Sequence, residues 1–208
     1  MLEKFQLLNT LFVTGTGTNV GKTFISAQIL NEMNSLGKKT AYYKPLQTGC
    51  ENASSPDSDM SFIQKNCPAT QVFNSYTFKL PACPQLAAKE ESKIIDLNLV
   101  KQTLRELHAQ FDFVLVEGAG GLLVPIDEAH AIKDLIKLLN IPVLVVSSNE
   151  LGCINHSLLT LENLRDFTEL PIYFFLNSYN SQNSHARVIE SNYEIILEHS
   201  KKLNILTV

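Results

Sequence analysis

Three runs of consecutive apolar residues punctuate the chain: TLFVT (Thr10–Thr14), FVLV (Phe113–Val116) and VLVVS (Val143–Ser147), each leading towards Gly, Asn or Ser. Lys39–Tyr43 and Ile172–Leu176 repeat the pattern more weakly. Apolar residues that run on without alternating predict strands covered on both faces, as in a parallel sheet. Between them lie segments of helical period: Gly21–Leu36, Leu97–Gln110, Ile132–Leu139, Ile154–Phe167 and His185–Lys202. The second shows the spacing best, with Leu97, Val100, Leu104 and Leu107 on one stripe and Lys101, Arg105 and Glu106 elsewhere around the helix. Strand alternating with helix predicts right-handed crossovers and a doubly wound α/β domain, mainly parallel, with helices on both faces. Functional residues are then expected at the carboxyl ends of the strands.

One stretch breaks the rhythm. Between Gln47 and Lys93, Pro56, Pro68, Pro81 and Pro84 are scattered among Ser and Asn. This predicts a loop-rich excursion with one helix near Asp57–Lys65. An excursion of that length inside one domain, here taken as residues 1–208, reads as a binding region. A further strand is expected near Asn204–Val208.

With 45% hydrophobic and 18% charged residues, the 208-residue chain has material for a real core. A formal charge of −4 argues against a general nucleic-acid binder, and no apolar run approaches the ~20 residues that span a bilayer. The spacing of Cys50, Cys67, Cys83 and Cys153 fits neither a zinc ribbon nor a small disulfide framework. A cytoplasmic protein with reduced thiols is the expectation.

The strongest local signal is Gly15-Thr-Gly-Thr-Asn-Val-Gly-Lys-Thr23, directly after a strand and before a helix. That is the context of a phosphate-binding loop, whose backbone amides and helix N-terminus face an anion. In that reading Gly17, Thr18, Asn19, Val20 and Gly21 wrap the phosphates. Lys22 supplies charge to them, and the Thr23 hydroxyl ligates Mg²⁺. The first glycine lies one residue earlier than the usual spacing requires. Glu117, after FVLV, stands where a phosphate-loop protein places its metal-facing acid, and opens the small-residue run Glu117-Gly-Ala-Gly-Gly121. Asp59 is a second candidate, read equally as a helix cap. Lys44 closes the strand before Pro-Leu-Gln-Thr-Gly49, and two lysines on one anionic site suit phosphoryl transfer.

Four blocks, GTGTNVGKT (15–23), YYKPLQTG (42–49), VEGAGG (116–121) and LGCINH (151–156), resemble the dethiobiotin synthetase family in order and spacing. The extended phosphate loop is a feature of that family. The resemblance implies a seven-stranded phosphate-loop subunit working as a homodimer. It implies an ATP- and Mg²⁺-dependent ligase that closes the ureido ring of dethiobiotin from 7,8-diaminopelargonic acid and CO₂. Carried over, Lys22, Lys44 and Thr48 serve the reacting groups. Thr23, Asp59 and Glu117 hold Mg²⁺, Gly118 and Gly120 line the phosphate side, and Asn177 faces the adenine. Gly152, Cys153, Ile154 and Asn155 bind the substrate carboxylate of the partner subunit. Relatives commonly continue past the equivalent of Val208 with a loop that touches the base, so loose base selectivity is expected here.

The rivals are weaker. Partitioning-type ATPases usually carry an extra lysine early in the loop, where this chain has Gly15-Thr-Gly-Thr18. No Asn-Lys-x-Asp guanine motif is present, and a glutamine-dependent cobyrinate synthetase would need a second domain.

Overall fold

The structure is a computed structural model that describes residues 2–179 and 186–208. Among them seven strands form one sheet: β1 (Thr10–Gly15), β2 (Thr40–Thr48), β3 (Gln71–Phe78), β4 (Phe113–Gly121), β5 (Val143–Ser148), β6 (Ile172–Asn177) and β7 (Leu206–Thr207). Their spatial order is β3-β2-β4-β1-β5-β6-β7, and every neighbouring pair is parallel. The helices are α1 (Lys22–Ser35), α2 (Asp59–Asn66), α3 (Pro84–Glu90), α4 (Leu97–His108), α5 (Ile132–Leu139), α6 (Cys153–Arg165) and α7 (Ala186–Lys202). His185, from which the apolar pattern starts the last helix, lies outside the described residues. No helix among the described residues is long and apolar enough to cross a membrane.

The continuous apolar runs behave as their pattern predicts. Phe12, Val114, Val116, Val143 and Val145 belong to one core cluster, and Leu11, Val13, Phe113, Leu115 and Leu144 to the other. Successive strand residues thus point to opposite faces, and both faces are dry. Helix α1 anchors its side of the sheet through Ile29, Leu30 and Met33, each fully buried, at about 2 kcal/mol per side chain. The stripe Val100, Leu104 and Leu107 of α4 packs into the opposite cluster.

The segment 47–93 is more regular than its prolines predict. It contains the end of β2, all of α2 and β3, and α3, leaving irregular chain chiefly around 49–58. The prolines delimit elements instead of dissolving them: Pro68 lies in the turn before β3, and Pro84 opens α3. Strand β3 sits at the sheet edge and is mostly half-buried, so Gln71–Phe78 lacks the apolar run of the inner strands. The C-terminal strand is shorter than expected, covering only Leu206–Thr207.

Two irregularities open the sheet at its carboxyl edge. Pairing of β2 with β4 ends at Tyr43↔Val116, so the two strands part at Lys44 and Glu117. Pro45 follows at once, where its missing N–H costs no ladder bond to β4. On the other side of β4 the register runs Val13↔Glu117 and then Gly15↔Gly121. Two steps along β1 therefore match four along β4, which bulges outward over Glu117–Gly121.

Candidate active site

Side-chain alternation decides what meets at this opening. Tyr42 packs in the α1-side cluster, so Lys44, two residues on, faces α1 as well. Leu115 packs on the same side, and Glu117 follows it. Thr23 and Ser26, three apart on α1, share the helix face that both strand residues approach.

The result is one connected cluster. Lys44 Nζ lies 2.7 Å from Asp59 Oδ2 and 3.0 Å from Glu117 Oε1, and donates to the Gly118 carbonyl at 3.2 Å. The Thr23 hydroxyl is 2.8 Å from Asp59 Oδ1 and 2.9 Å from Glu117 Oε1. Lys22 Nζ reaches back to the Gly17 carbonyl at 2.8 Å. Asp59 is not the helix cap that its position allows: Ser58 takes that role through its contact with Ser61 N–H, which frees Asp59 for Lys44 and Thr23. The Asp59 amide meets Gln47 Oε1 at 3.3 Å.

The charges shape one another. Burial draws the Lys22 ammonium down to about 8, offset only in part by Glu117. Burial also works against Lys44, but Glu117 and Asp59 outweigh it and hold that lysine at about 12. Burial pushes the Asp59 carboxyl upward, yet the charge and hydrogen bond of Lys44 and the bond from Thr23 leave it below the usual range. The Tyr42 phenol is driven well above its ordinary value, by burial first and then by the Glu117 and Asp59 charges. Lys44 is thereby held charged through the neutral range and Asp59 ionised beside it.

A cavity of about 740 Å³ opens over this cluster, lined by Thr18, Asn19, Gly21, Lys22, Thr23, Lys44, Gln47, Thr48, Asp59, Glu117 and Gly120, with Pro81–Pro84 forming another wall. The phosphate-loop conformation is built in. Asn19 and Gly21 have φ of 61° and 98°, the left-handed region in which successive amides can form an anion-binding concavity. Val20 is buried beneath the loop, and its carbonyl accepts from Asn177 Nδ2 at 3.0 Å. Asn177 does not line the main cavity. It borders an adjoining one of about 420 Å³ with Gly21, Phe24 and Tyr179, the two rings stacked at 4.8 Å. Gly21, Thr23, Phe24, Asp57 and Asp59 line both.

Thr23, Asp59 and Glu117 present hard oxygen donors within 3 Å of a shared point at the Thr23 hydroxyl, a set that fits Mg²⁺. Among the described residues no group of three or more His, Cys, Asp or Glu could hold a metal ion. The four candidate residues within the LGCINH block, Gly152 to Asn155, lie apart from the cavity lining, at the start of α6. Gly152 caps the helix at φ 96°, Cys153 is buried with its thiol raised by burial, Ile154 is half-buried and Asn155 is exposed. Tyr42 and Gln47 belong to the YYKPLQTG block, whereas Ser26 lies outside all four blocks. All three are buried polar residues beside the cluster, and Ser26 carried a usable signal: it lies one helical turn beyond Thr23.

A family model described as an AAA domain matches residues 9–206. Among solved structures, the fold is similar to a ParA family ATPase from Chlorobium tepidum (TM-score 0.55, 14% identity, 89% of this chain and 80% of that one). It is likewise similar to the MinD cell division protein of Aquifex aeolicus (TM-score 0.55, 13% identity, 91% and 78%). These likenesses bear out the doubly wound phosphate-loop fold. In sequence, the chain is 40% identical over 154 residues to the ATP-dependent dethiobiotin synthetase BioD 1 of Salmonella typhi, covering 72% of this chain and 68% of that protein. To the ATP-dependent dethiobiotin synthetase BioD of Sulfurovum sp. strain NBC37-1 it is 35% identical over 196 residues, 91% of each. The resemblance read from the four motif blocks is thereby shown: the chain belongs to the ATP-dependent dethiobiotin synthetase family.

Proposed function

We propose that the chain closes the ureido ring of dethiobiotin from 7,8-diaminopelargonic acid, CO₂ and ATP, as one step of biotin synthesis. The observation that carries this reading is the convergence of Lys44, Thr23, Asp59 and Glu117 on the floor of the cavity behind the phosphate loop.

In the first step one amine nitrogen of the diamine attacks the CO₂ carbon and loses a proton, giving a carbamate. Lys44, charged throughout the neutral range, pairs with the carbamate oxygens. A carbamate oxygen then attacks the γ-phosphorus of ATP, ADP departs, and a carbamic–phosphoric anhydride forms. Lys22 and the amides of residues 17–21 hold the phosphoryl oxygens in line. Mg²⁺ held by Thr23, Asp59 and Glu117 would neutralise phosphate charge. In the last step the second amine attacks the carbonyl carbon and loses a proton while phosphate leaves, closing the five-membered ring. Thr48, Gly118 and Gly120 line the path, and Asn177 faces the adenine. The amides that open α6, from Gly152 to Asn155, would take the carboxylate of the substrate held by a partner subunit, making the active form a homodimer.

Incubating the protein with ATP, Mg²⁺, bicarbonate and diaminopelargonate should yield dethiobiotin by mass, with one ADP per ring closed. ATP hydrolysis that ignores the diamine would instead favour a switch ATPase.

Lys22 gives a second measurable consequence. Phosphates favour its charged form, so nucleotide binding raises its pKa. Below about 8 the ammonium is already charged and affinity is level with pH. Above that value binding must take up a proton, and ATP affinity falls by up to about tenfold per pH unit. Calorimetry in two buffers of different ionisation enthalpy should show proton uptake appearing as pH rises through that range. Proton release there would overturn the assignment.

A further inference from the structure

We propose that Ser26 is a positioning residue for the phosphoryl-transfer site, holding Glu117 in the one orientation from which a single carboxylate oxygen faces the cavity. The inference rests on the reading of Thr23 and Glu117 as cation ligands given above.

Ser26 Oγ donates to Glu117 Oε2 at 2.7 Å, and both residues have no exposed surface. The other oxygen, Oε1, receives Lys44 Nζ at 3.0 Å and the Thr23 hydroxyl at 2.9 Å. The two ends of the carboxylate are thus divided, with Oε2 turned into the interface between α1 and β4 and Oε1 turned towards the phosphate loop. The division follows from helix geometry. Residues three apart stand on one face, so a single turn of α1 presents two hydroxyls to one side chain of β4. Thr23 meets the oxygen that faces outward, and Ser26 the one that faces inward.

Glu117 needs this support because of where it sits. It opens the bulge of β4, with Gly118, Ala119 and Gly120 after it, so little bulk on its own strand restrains its torsions. A buried carboxylate with one oxygen unbonded gains by rotating towards whatever donor is near, and Lys44 is the nearest cation. Without Ser26, Oε1 and Oε2 compete for Lys44 and Thr23, and the oxygen meant for a cation is no longer set. A charge-assisted bond from a short, stiff side chain prevents this. Partners of this kind change metal affinity by about 10- to 100-fold when removed.

The test compares S26A with S200A. Ser200 is also fully buried, donates to the Leu197 carbonyl on α7, and provides the control for loss of a buried hydroxyl far from the site. Binding of a non-hydrolysable ATP analogue is titrated at a series of Mg²⁺ concentrations. S26A should need about tenfold more Mg²⁺ to reach half its full nucleotide affinity. Its affinity in the absence of Mg²⁺ should match wild type, and S200A should follow the wild-type curve throughout. A wild-type Mg²⁺ curve for S26A, or an equal shift for S200A, overturns the proposal while leaving the cation site standing. If nucleotide affinity of the wild-type protein does not respond to Mg²⁺ at all, the reading of Thr23, Asp59 and Glu117 fails first.

Discussion

Replacing Lys44 by alanine should lower the rate of dethiobiotin formation by about a thousandfold, while the chain still folds. The size of the effect comes from what Lys44 does and from the absence of a substitute. Its ammonium is the cation set against Asp59 and Glu117 at the point where β2 and β4 part. Lys22 lies against the Gly17 carbonyl of the phosphate loop and is not paired with these two carboxylates. On the mechanism proposed above, removing Lys44 leaves the developing charge of the carbamate and the transferring phosphoryl group with one lysine in place of two. It also strands a fully buried Glu117 beside Asp59. Losing one partner of a buried pair costs about 3 kcal/mol, which for a domain of this size lowers Tm by roughly 10 °C. Activity measured well below the new Tm, with circular dichroism to confirm folding, separates the two losses. Near-wild-type turnover in K44A would falsify the carbamate role.

The second large effect is expected from Gly21→Ala, which should weaken ATP binding by about a hundredfold or more, since the strain of a left-handed alanine adds to a clash. Gly21 has φ of 98°, and an added Cβ would stand 2.1 Å from Asn177 Nδ2. That nitrogen is not free to retreat without loss, because it donates to the Val20 carbonyl inside the same loop, while Asn177 Oδ1 receives the Tyr179 amide. Pushing Asn177 aside unties the floor of the phosphate loop from the end of β6. The double variant G21A/N177A isolates the cause. It should recover part of the lost affinity if the clash matters, and retain the part owed to backbone strain. Because N177A also removes the bond to the Val20 carbonyl, the single variant N177A is the reference, and no recovery once its own loss is allowed for would mean that φ alone carries the effect. Wild-type affinity in G21A would remove the loop from the nucleotide site.

The parts of this molecule that were legible in its sequence share a physical cause. Strands β1, β4 and β5 announced themselves because both faces are buried, and a strand with two dry faces has few polar positions to dilute it. Strand β3 stayed hidden because it is an edge strand with Asn74, Ser75 and Thr77 half-exposed, and because Pro68 and Pro81 beside it looked like breakers. Lys22, Thr23 and Glu117 could be read from local context, since a glycine-rich turn between strand and helix has few other uses. Asp59 could not, because its cluster is assembled from four separate stretches of chain. Only the family likeness raised it above an ordinary cap. Ser26 was missed for the opposite reason: a serine on a buried helix face resembles a small core residue until its acceptor, ninety-one positions away, is seen.

The strand order has a consequence for how the chain is made. Strand β4 lies between β1 and β2, yet it is synthesised long after both. While the chain leaves the ribosome, β1 and β2 have no inner partner, and each presents an apolar edge awaiting residues that do not yet exist. Insertion of β4 closes that gap and delivers Glu117 to Thr23 and Lys44 in the same event. Nucleotide can therefore protect only chains that have completed the insertion, and pulse-labelled nascent chains should gain ATP-dependent protease resistance only after Gly121 has cleared the exit tunnel.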